Sequence, residues 1–293
     1  MKKFFISFIL VVGMSTTGFA QKVTYFNFSK LPEIIEKSLK EAQEKAPFKT
    51  IEALKEHCIT AKKEENIEYS NLPKAHTKKI TTQELAKQIR ASSLMICKYK
   101  KGFGAYPDFV LIGASAVVLS EDGLCVSNYH VFEPLIDEGQ GVHPQDKLFF
   151  AADEYGHVYP ITSVKTYSDV ADLAVFTIDT RGKKLIPAPL GNDQEVGSTV
   201  HTMTHPKQEG YYYTQGVVAR NSGFDDNPWE NRCEITADFG SGSSGGPVFD
   251  DYGNLISVVS STTSVYAEKG NSRDWQMVMK LTIPVSSVKR LIK

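Results

Sequence analysis

The feature that most constrains the fold is a series of short β-type segments that begins after Ser92 and continues almost to the C-terminus. These segments are rich in β-branched and aromatic residues, and turns containing Gly, Asp, Asn or Pro separate them. Examples are residues 94–99, 109–119, 124–127, 147–151, 173–178, 196–203, 211–219, 235–237, 248–249, 255–261 and 277–283. Short strands at this spacing are typical of an all-β sandwich or a pair of barrels. No βαβ alternation is visible, which argues against a doubly wound α/β hydrolase.

The region before this series, residues 21–91, has a helical pattern instead. Leu31, Ile35 and Leu39 recur at the spacing of one helix face, and a second amphipathic segment follows. The sequence TTQE at the start of residues 81–90 predicts a capping box that begins a short helix. We therefore predict a helical N-terminal extension, and the sequence leaves its role open between a propeptide, a lid and a docking region.

The first 20 residues have the pattern of a secretory signal peptide. Lys2 and Lys3 precede an apolar run at residues 4–12, and Gly18 and Ala20 occupy the small-residue positions of a cleavage site. The apolar run is too short to span a bilayer. We expect cleavage after Ala20 and an exported protein, periplasmic or extracellular, that is not held in a membrane.

Charge and cysteine usage exclude several classes of partner. The chain has 33 basic and 34 acidic residues, so it lacks the basic footprint of a nucleic-acid-binding protein. Its four cysteines have neither CxxC nor Cys/His spacing, which argues against a zinc site. We predict no metal and no organic cofactor. The sequence does not decide whether the cysteines form disulfides or are small buried apolar residues, and they are Cys58, Cys97, Cys125 and Cys233.

A candidate nucleophile lies in the sequence GSSGGP at residues 242–247. A serine hydroxyl needs a base on one side and donors that stabilise an oxyanion on the other. Glycines let the backbone turn tightly enough to direct N–H groups, here those of Gly242 and Ser244, toward the same point as the Ser244 hydroxyl. Taken alone, the segment is equally compatible with a flexible turn.

Two upstream segments supply candidate partners for this serine. A predicted hairpin at residues 113–131 brings His130 to the end of its second strand, and Asp172 enters the strand that begins with Leu-Ala-Val-Phe. Asp169 is an alternative carboxylate near the same strand. Imidazole titrates near neutrality and can carry a proton both ways, and a carboxylate can orient it.

In the order His, Asp, Ser, these segments resemble the trypsin-like serine peptidases of the chymotrypsin fold, and in particular the HtrA/Deg-type bacterial proteases. The typical motifs TNxHV, DLAL and GxSGG of that group read SNYHV, DLAV and GSSGG here. The resemblance covers residues 92–293 and implies an all-β domain of two six-stranded antiparallel barrels. It also implies that His130 is the general base, that Asp172 orients it and that Ser244 is the nucleophile. Since the chain ends at Lys293, we expect no PDZ domain of the kind common in Deg enzymes.

Substrate preference is weakly encoded. Asp238 lies six residues before Ser244, where trypsin carries the acid that binds Lys or Arg, although a structural role or an apolar pocket is equally compatible. The resemblance assigns the pocket wall to the strand that carries Ser260 and Thr262. These three residues are the candidate substrate-binding residues.

The sequence thus predicts an endopeptidase that cleaves protein or peptide substrates through an acyl-enzyme on Ser244. The alternative is a catalytically silent trypsin-like fold that binds proteins. For the enzyme, we expect activity to fall below about pH 6 as His130 becomes protonated. The sequence leaves the oligomeric state undetermined.

Overall fold

The computed structural model describes residues 23, 25–223, 226–268 and 273–293. The predicted signal peptide at residues 1–20 lies outside the described residues. Across the described ranges, no helix combines the length and the apolar character needed to cross a bilayer.

The first barrel closes through the strand order β2-β3-β4-β7-β6-β5, and every neighbouring pair of these strands is antiparallel. Its strands are β2 (Ser93–Lys100), β3 (Phe109–Val118), β4 (Leu124–Ser127), β5 (Asp146–Ala152), β6 (Val158–Ser168) and β7 (Leu173–Ile178). A helix, α4 (Tyr129–Ile136), follows β4 directly.

The second barrel closes through the order β8-β9-β10-β13-β12-β11 and is also antiparallel throughout. Its strands are β8 (Thr199–Thr204), β9 (Tyr212–Ser222), β10 (Arg232–Ile235), β11 (Pro247–Phe249), β12 (Leu255–Tyr266) and β13 (Trp275–Pro284). The helix α5 (Val285–Leu291) follows β13. The prediction of two six-stranded antiparallel barrels is confirmed.

One strand of the first barrel, β6, is absent from the segments that the sequence indicates. Its pairing with β7 shifts register twice, between Ile161 and Ser163 and between Val164 and Thr166. Each bulge adds a residue and breaks the two-residue alternation by which a strand is recognised in a sequence. The remaining strands lie close to the predicted segments, although β12 continues past residue 261 to Tyr266.

The N-terminal extension forms three helices and a short strand. They are α1 (Leu31–Lys45), α2 (Ile51–Cys58), β1 (Lys62–Lys63) and α3 (Thr82–Ser92). The predicted capping box is confirmed, because Thr81 Oγ1 accepts from Glu84 N and a Glu84 carboxylate oxygen accepts from Thr81 N. β1 pairs in parallel with β6, which adds a strand to the outside of the first barrel.

The apolar faces of these helices are buried against the barrels. Leu31, Ile35 and Leu39 of α1 are at most 1% exposed and share a cluster with residues of both barrels. Leu54 of α2 packs in a second cluster with residues of the first barrel. Since burying a leucine side chain stabilises a fold by about 1.5–3 kcal/mol, this region contributes substantially to the stability of the protein.

All four cysteines are buried and free. Of the two alternatives left open by the sequence, the structure therefore has small buried apolar side chains and no disulfide. They occupy separate places in the fold, namely Cys58 on α2, Cys97 on β2, Cys125 on β4 and Cys233 on β10.

Candidate active site

The candidate site lies at the seam between the two barrels. Ser115 of β3 donates its N–H to the carbonyl of Ser244 at 2.8 Å, which ties the first barrel to the loop before β11. On the other side of that loop, Gly245 N donates to Val259 O of β12 at 2.9 Å. Ser244 is therefore held between a strand of each barrel.

His130 stands at the start of α4, where the chain leaves β4. Its Nδ1 lies 2.9 and 3.0 Å from the two carboxylate oxygens of Asp172, and its backbone N–H also donates to Oδ1 at 3.1 Å. The first N–H groups of a helix have no partner within the helix, so the carboxylate satisfies one of them. The imidazole is thereby fixed in orientation by two bonds to one carboxyl group.

Asp172 occupies a left-handed turn just before β7, with φ of 61°. Asp tolerates this region better than most residues do, and two hydrogen bonds hold the turn. Asn128 Nδ2 donates to Asp172 O at 2.9 Å, and Asp172 N donates to Asp169 O at 3.3 Å. The alternative carboxylate, Asp169, points elsewhere and pairs with Lys63 of the extension at 2.8 Å.

A second donor reaches Asp172 from the other barrel. Ser260 Oγ of β12 donates to Oδ2 at 2.7 Å, so the carboxylate accepts from His130 on one side and from Ser260 on the other. Sequence reasoning assigned Ser260 to the substrate pocket, whereas its hydroxyl is bonded to Asp172. The sequence signal that could have indicated this is only its position on a strand that passes Ser244, which is too general to assign a partner.

The loop before Ser244 depends on its glycines. Gly242 has φ of 96°, and a Cβ built there would lie 2.6 Å from His205 O. A Cβ at Gly245 would lie 2.0 Å from Ser127 Oγ and 2.3 Å from Ser115 O. Among the hydrogen bonds of the described residues, none is donated by the backbone N–H of Gly242 or Ser244.

Ser244 and His130 line one cavity of about 320 Å³, whose remaining walls come from the first barrel. Among the hydrogen bonds of the described residues, none joins Ser244 Oγ to the imidazole of His130. Such bonds are often long in proteins without substrate and shorten when substrate binds. The cavity is open to a ligand at the point where the two side chains face it.

The electrostatics of the site favour a charged imidazole. The hydrogen bond that His130 donates to Asp172 raises the pKa of His130 above its ordinary value, burial opposes the increase, and the negative charge of Asp172 adds to it. A base with a raised pKa accepts a proton more readily, but it is neutral only at higher pH.

The other two candidate substrate-binding residues lie away from this cavity. The Asp238 side chain is 80% exposed and pairs with Lys280 Nζ at 2.7 Å, which neutralises its charge. Thr262 is exposed on the part of β12 that extends beyond β11. Neither is among the described residues that line the cavity of Ser244.

Sequence comparison identifies related proteins for the barrel region. The family model described as "Trypsin-like peptidase domain" matches residues 114–258. A probable periplasmic serine endoprotease, DegP-like, of Brucella suis is 29% identical over 187 residues, which cover 61% of this chain and 32% of the relative. The chloroplastic Protease Do-like 5 of Arabidopsis thaliana is 28% identical over 184 residues, which cover 61% of this chain and 55% of that protein. The chain thus spans about a third to a half of the length of these relatives.

Structural comparison agrees on the fold. The crystal structure of Deg5 matches 72% of this chain and 94% of its own, with a TM-score of 0.53 and 23% sequence identity. At that identity the likeness concerns the arrangement of the two barrels. The structural match covers more of this chain than the family match does, since the family match comprises only the 145 residues from 114 to 258.

Proposed function

We propose that this chain, which matches a trypsin-like peptidase family model over residues 114–258 and is similar to DegP-like proteases, is an exported serine endopeptidase that cleaves proteins or peptides through an acyl-enzyme on Ser244. The observation that carries the proposal is the hydrogen-bonded series of Ser260, Asp172 and His130, together with a cavity that His130 shares with Ser244. The roles of these residues are part of the proposal. So is the site of action, which rests on the predicted signal peptide and on the periplasmic relative.

In the proposed first step, Ser244 Oγ attacks the carbonyl carbon of the peptide bond while His130 takes the hydroxyl proton. Asp172 keeps the Nδ1 proton of His130 in place, so that Nε2 is the basic nitrogen, and it stabilises the imidazolium that forms. Ser260 in turn limits the positions that the carboxylate can adopt.

The negative charge that develops on the carbonyl oxygen is stabilised by the N–H groups of Gly242 and Ser244. A donor of this kind lowers the barrier by about 3–4 kcal/mol. The tetrahedral intermediate then collapses, the peptide C–N bond breaks, and the amine leaves with the proton from His130. Water, deprotonated by His130, attacks the acyl-enzyme in the second half of the reaction and releases the acid and Ser244.

Labelling with a fluorophosphonate tests this proposal against the silent binding fold. The wild-type protein is expected to form a covalent adduct on Ser244, while Ser244→Ala and His130→Ala form none. Circular dichroism establishes that each variant is folded. A folded wild-type protein that takes up no label favours the binding function instead. An exported product whose N-terminus is not Gln21, read by mass spectrometry, contradicts the predicted processing.

A further inference from the structure

We propose that a groove on the first barrel binds the residues that follow the cleaved bond and selects an acidic side chain there. The groove is the cavity next to Ser244 together with a neighbouring cavity of about 340 Å³, and the two share Lys98, Val131, Pro134 and Phe149. This inference rests on the proposed peptidase function and adds a substrate class to it.

The position of the groove relative to the reacting groups assigns it to the leaving side. His130, which donates a proton to the departing amine, belongs to the first barrel, as do the groove walls. The groups that hold the acyl side, namely the N–H groups of Gly242 and Ser244 and the strand β12, belong to the second barrel. An amine within reach of His130 therefore continues over the surface of the first barrel.

The lysine and aspartate side chains that line the groove carry more positive than negative charge. Lys98 and Lys100 lie two residues apart on β2, so their side chains share a face, and the ammonium groups of both contact the carboxylate of Asp146 at 2.6 and 2.5 Å. Among the described residues that line the two cavities, Asp146 is the only acid. Two cations therefore face one anion.

The arrangement of Lys98, Lys100 and Asp146, the charged trio of the groove, leaves room for a second anion. The Asp146 side chain is 1% exposed, whereas that of Lys98 is 30% exposed, so a ligand reaches Lys98 without displacing Asp146. Burial disfavours the charged form of Asp146, yet hydrogen bonds and charges from Lys100 and Lys98 lower its pKa, so the carboxylate stays ionised at neutral pH. Asp146 thus offsets one of the two ammonium charges, and the three groups together keep one net positive charge.

The walls around these charges are apolar. Ile96, Leu111 and Val131 line the cavity of Ser244, and Lys98 Nζ lies 5.9 Å from the ring centre of Phe149. The second cavity continues as far as Ile51 of the extension. An acidic residue with an aliphatic stem, such as Glu, matches a surface that is apolar below and positive at one side.

Cleavage of matched fluorogenic peptides tests the inference. The peptides differ only in Glu, Gln or Lys at the first or second position after the cleaved bond, within a sequence taken from a cleavage-site profile of the wild-type protein. We expect kcat/KM to be about fivefold higher for Glu than for Gln and lowest for Lys, since a partly exposed ion pair contributes about 1 kcal/mol. Raising NaCl from about 0.05 to about 0.5 M should reduce the ratio by screening.

Substitutions in the charged trio should change the ratio of kcat/KM for Glu peptides to that for Gln peptides in opposite directions. Lys98→Gln should reduce the preference for Glu over Gln, Lys98→Arg should keep it, and Asp146→Asn should increase it. Lys184→Gln is the matched control, because Lys184 is 84% exposed and pairs with Glu121 outside the groove. If Asp146→Asn fails to fold, the two Lys98 variants and the salt series still decide the question.

Equal kcat/KM for Glu and Gln peptides in the wild-type protein overturns the groove proposal while the peptidase function stands. So does a Glu preference that is the same in Lys98→Gln and in the wild type. A folded wild-type protein that neither takes fluorophosphonate nor cleaves any peptide removes the peptidase function, and the groove proposal falls with it.

Discussion

The two barrels have the same number of strands, but the N-terminal extension contributes very differently to them. The first barrel shares a buried cluster with α2, in which Leu54 and Cys58 pack against its strands. The second barrel has a separate cluster of nine buried residues, none of which precedes Val200. A third cluster joins α1 and α3 to residues of both barrels, including Met203 and Leu255 of the second.

The groups proposed to react are divided between the two barrels. The candidate base and its carboxylate lie on the barrel that the extension supports, and the candidate nucleophile lies on the other. Only the seam brings them together, through Ser115, Ser260 and the cluster that includes α1. No described residue of the extension lines the cavity of His130 and Ser244, whereas Ile51 of α2 lines the neighbouring cavity.

The largest effect on this arrangement is expected from Asp172→Asn. The Asp172 carboxylate accepts hydrogen bonds from His130 and from Ser260 of the second barrel, and the substitution disrupts this connection. An amide holds the wrong tautomer of His130, and kcat should fall by about 10⁴-fold. Because Asp172 raises the pKa of His130, the variant should also move the acid limb of the kcat/KM profile to lower pH. An acid limb at the same pH in both proteins would contradict the assigned pairing.

The direction of the pKa shift also corrects the expected pH range of the wild-type protein. Because the pKa of His130 is raised, the imidazole becomes protonated at a pH above its ordinary pKa near 6.5. The activity of the protein should therefore begin to fall at a higher pH than the value of about 6 expected from the sequence. The same shift stabilises the fold fully below the pKa of the unfolded state, and this contribution is lost as pH rises through the folded pKa. Activity therefore increases over the range in which this part of the stability decreases.

Leu39→Ala tests whether the extension is part of the fold. Leu39 is 1% exposed, so the free energy of unfolding should fall by about 2–5 kcal/mol. Lys37→Ala on the exposed face of the same helix is the control, since the Lys37 side chain is 81% exposed. Urea denaturation followed by circular dichroism measures both.

The same titrations sharpen the comparison of the barrels. We expect one transition in Leu39→Ala, because a single cluster joins α1 to both barrels. Two separated transitions, with only the first moved by the substitution, would indicate that the second barrel is stable without the extension. An effect no larger than that of Lys37→Ala would show that the extension is only loosely attached.

The smallest effect is expected from Ser260→Ala, which removes one of the hydrogen bonds to Asp172 and leaves the others. A hydrogen bond to a charged group contributes about 1.5–3 kcal/mol. Because the two bonds from His130 still hold Asp172 in place, kcat should fall by only about tenfold. KM should stay close to the wild-type value if Ser260 acts through Asp172. A rise in KM with kcat unchanged would return Ser260 to the substrate pocket.

Local patterns predicted most of the elements correctly. The capping box at Thr81 and the helix face of Leu31, Ile35 and Leu39 depend on residues three or four apart, so the sequence contains all of the information. The strand β6 was missed because bulges at Thr162 and Lys165 disturb its alternation. Bulges respond to the twist of the neighbouring strands, which no local pattern contains.

What the sequence determined by itself was the order and type of most of the elements and the three side chains proposed to react, because strand periodicity, glycine turns and residue chemistry are local properties. Tertiary structure alone decided that Ser260 bonds to the carboxylate of Asp172, and that Lys98 and Lys100 share Asp146. These contacts join residues far apart in the chain. They follow from barrel closure and from the docking of one barrel on the other, which depend on the packing of the whole chain.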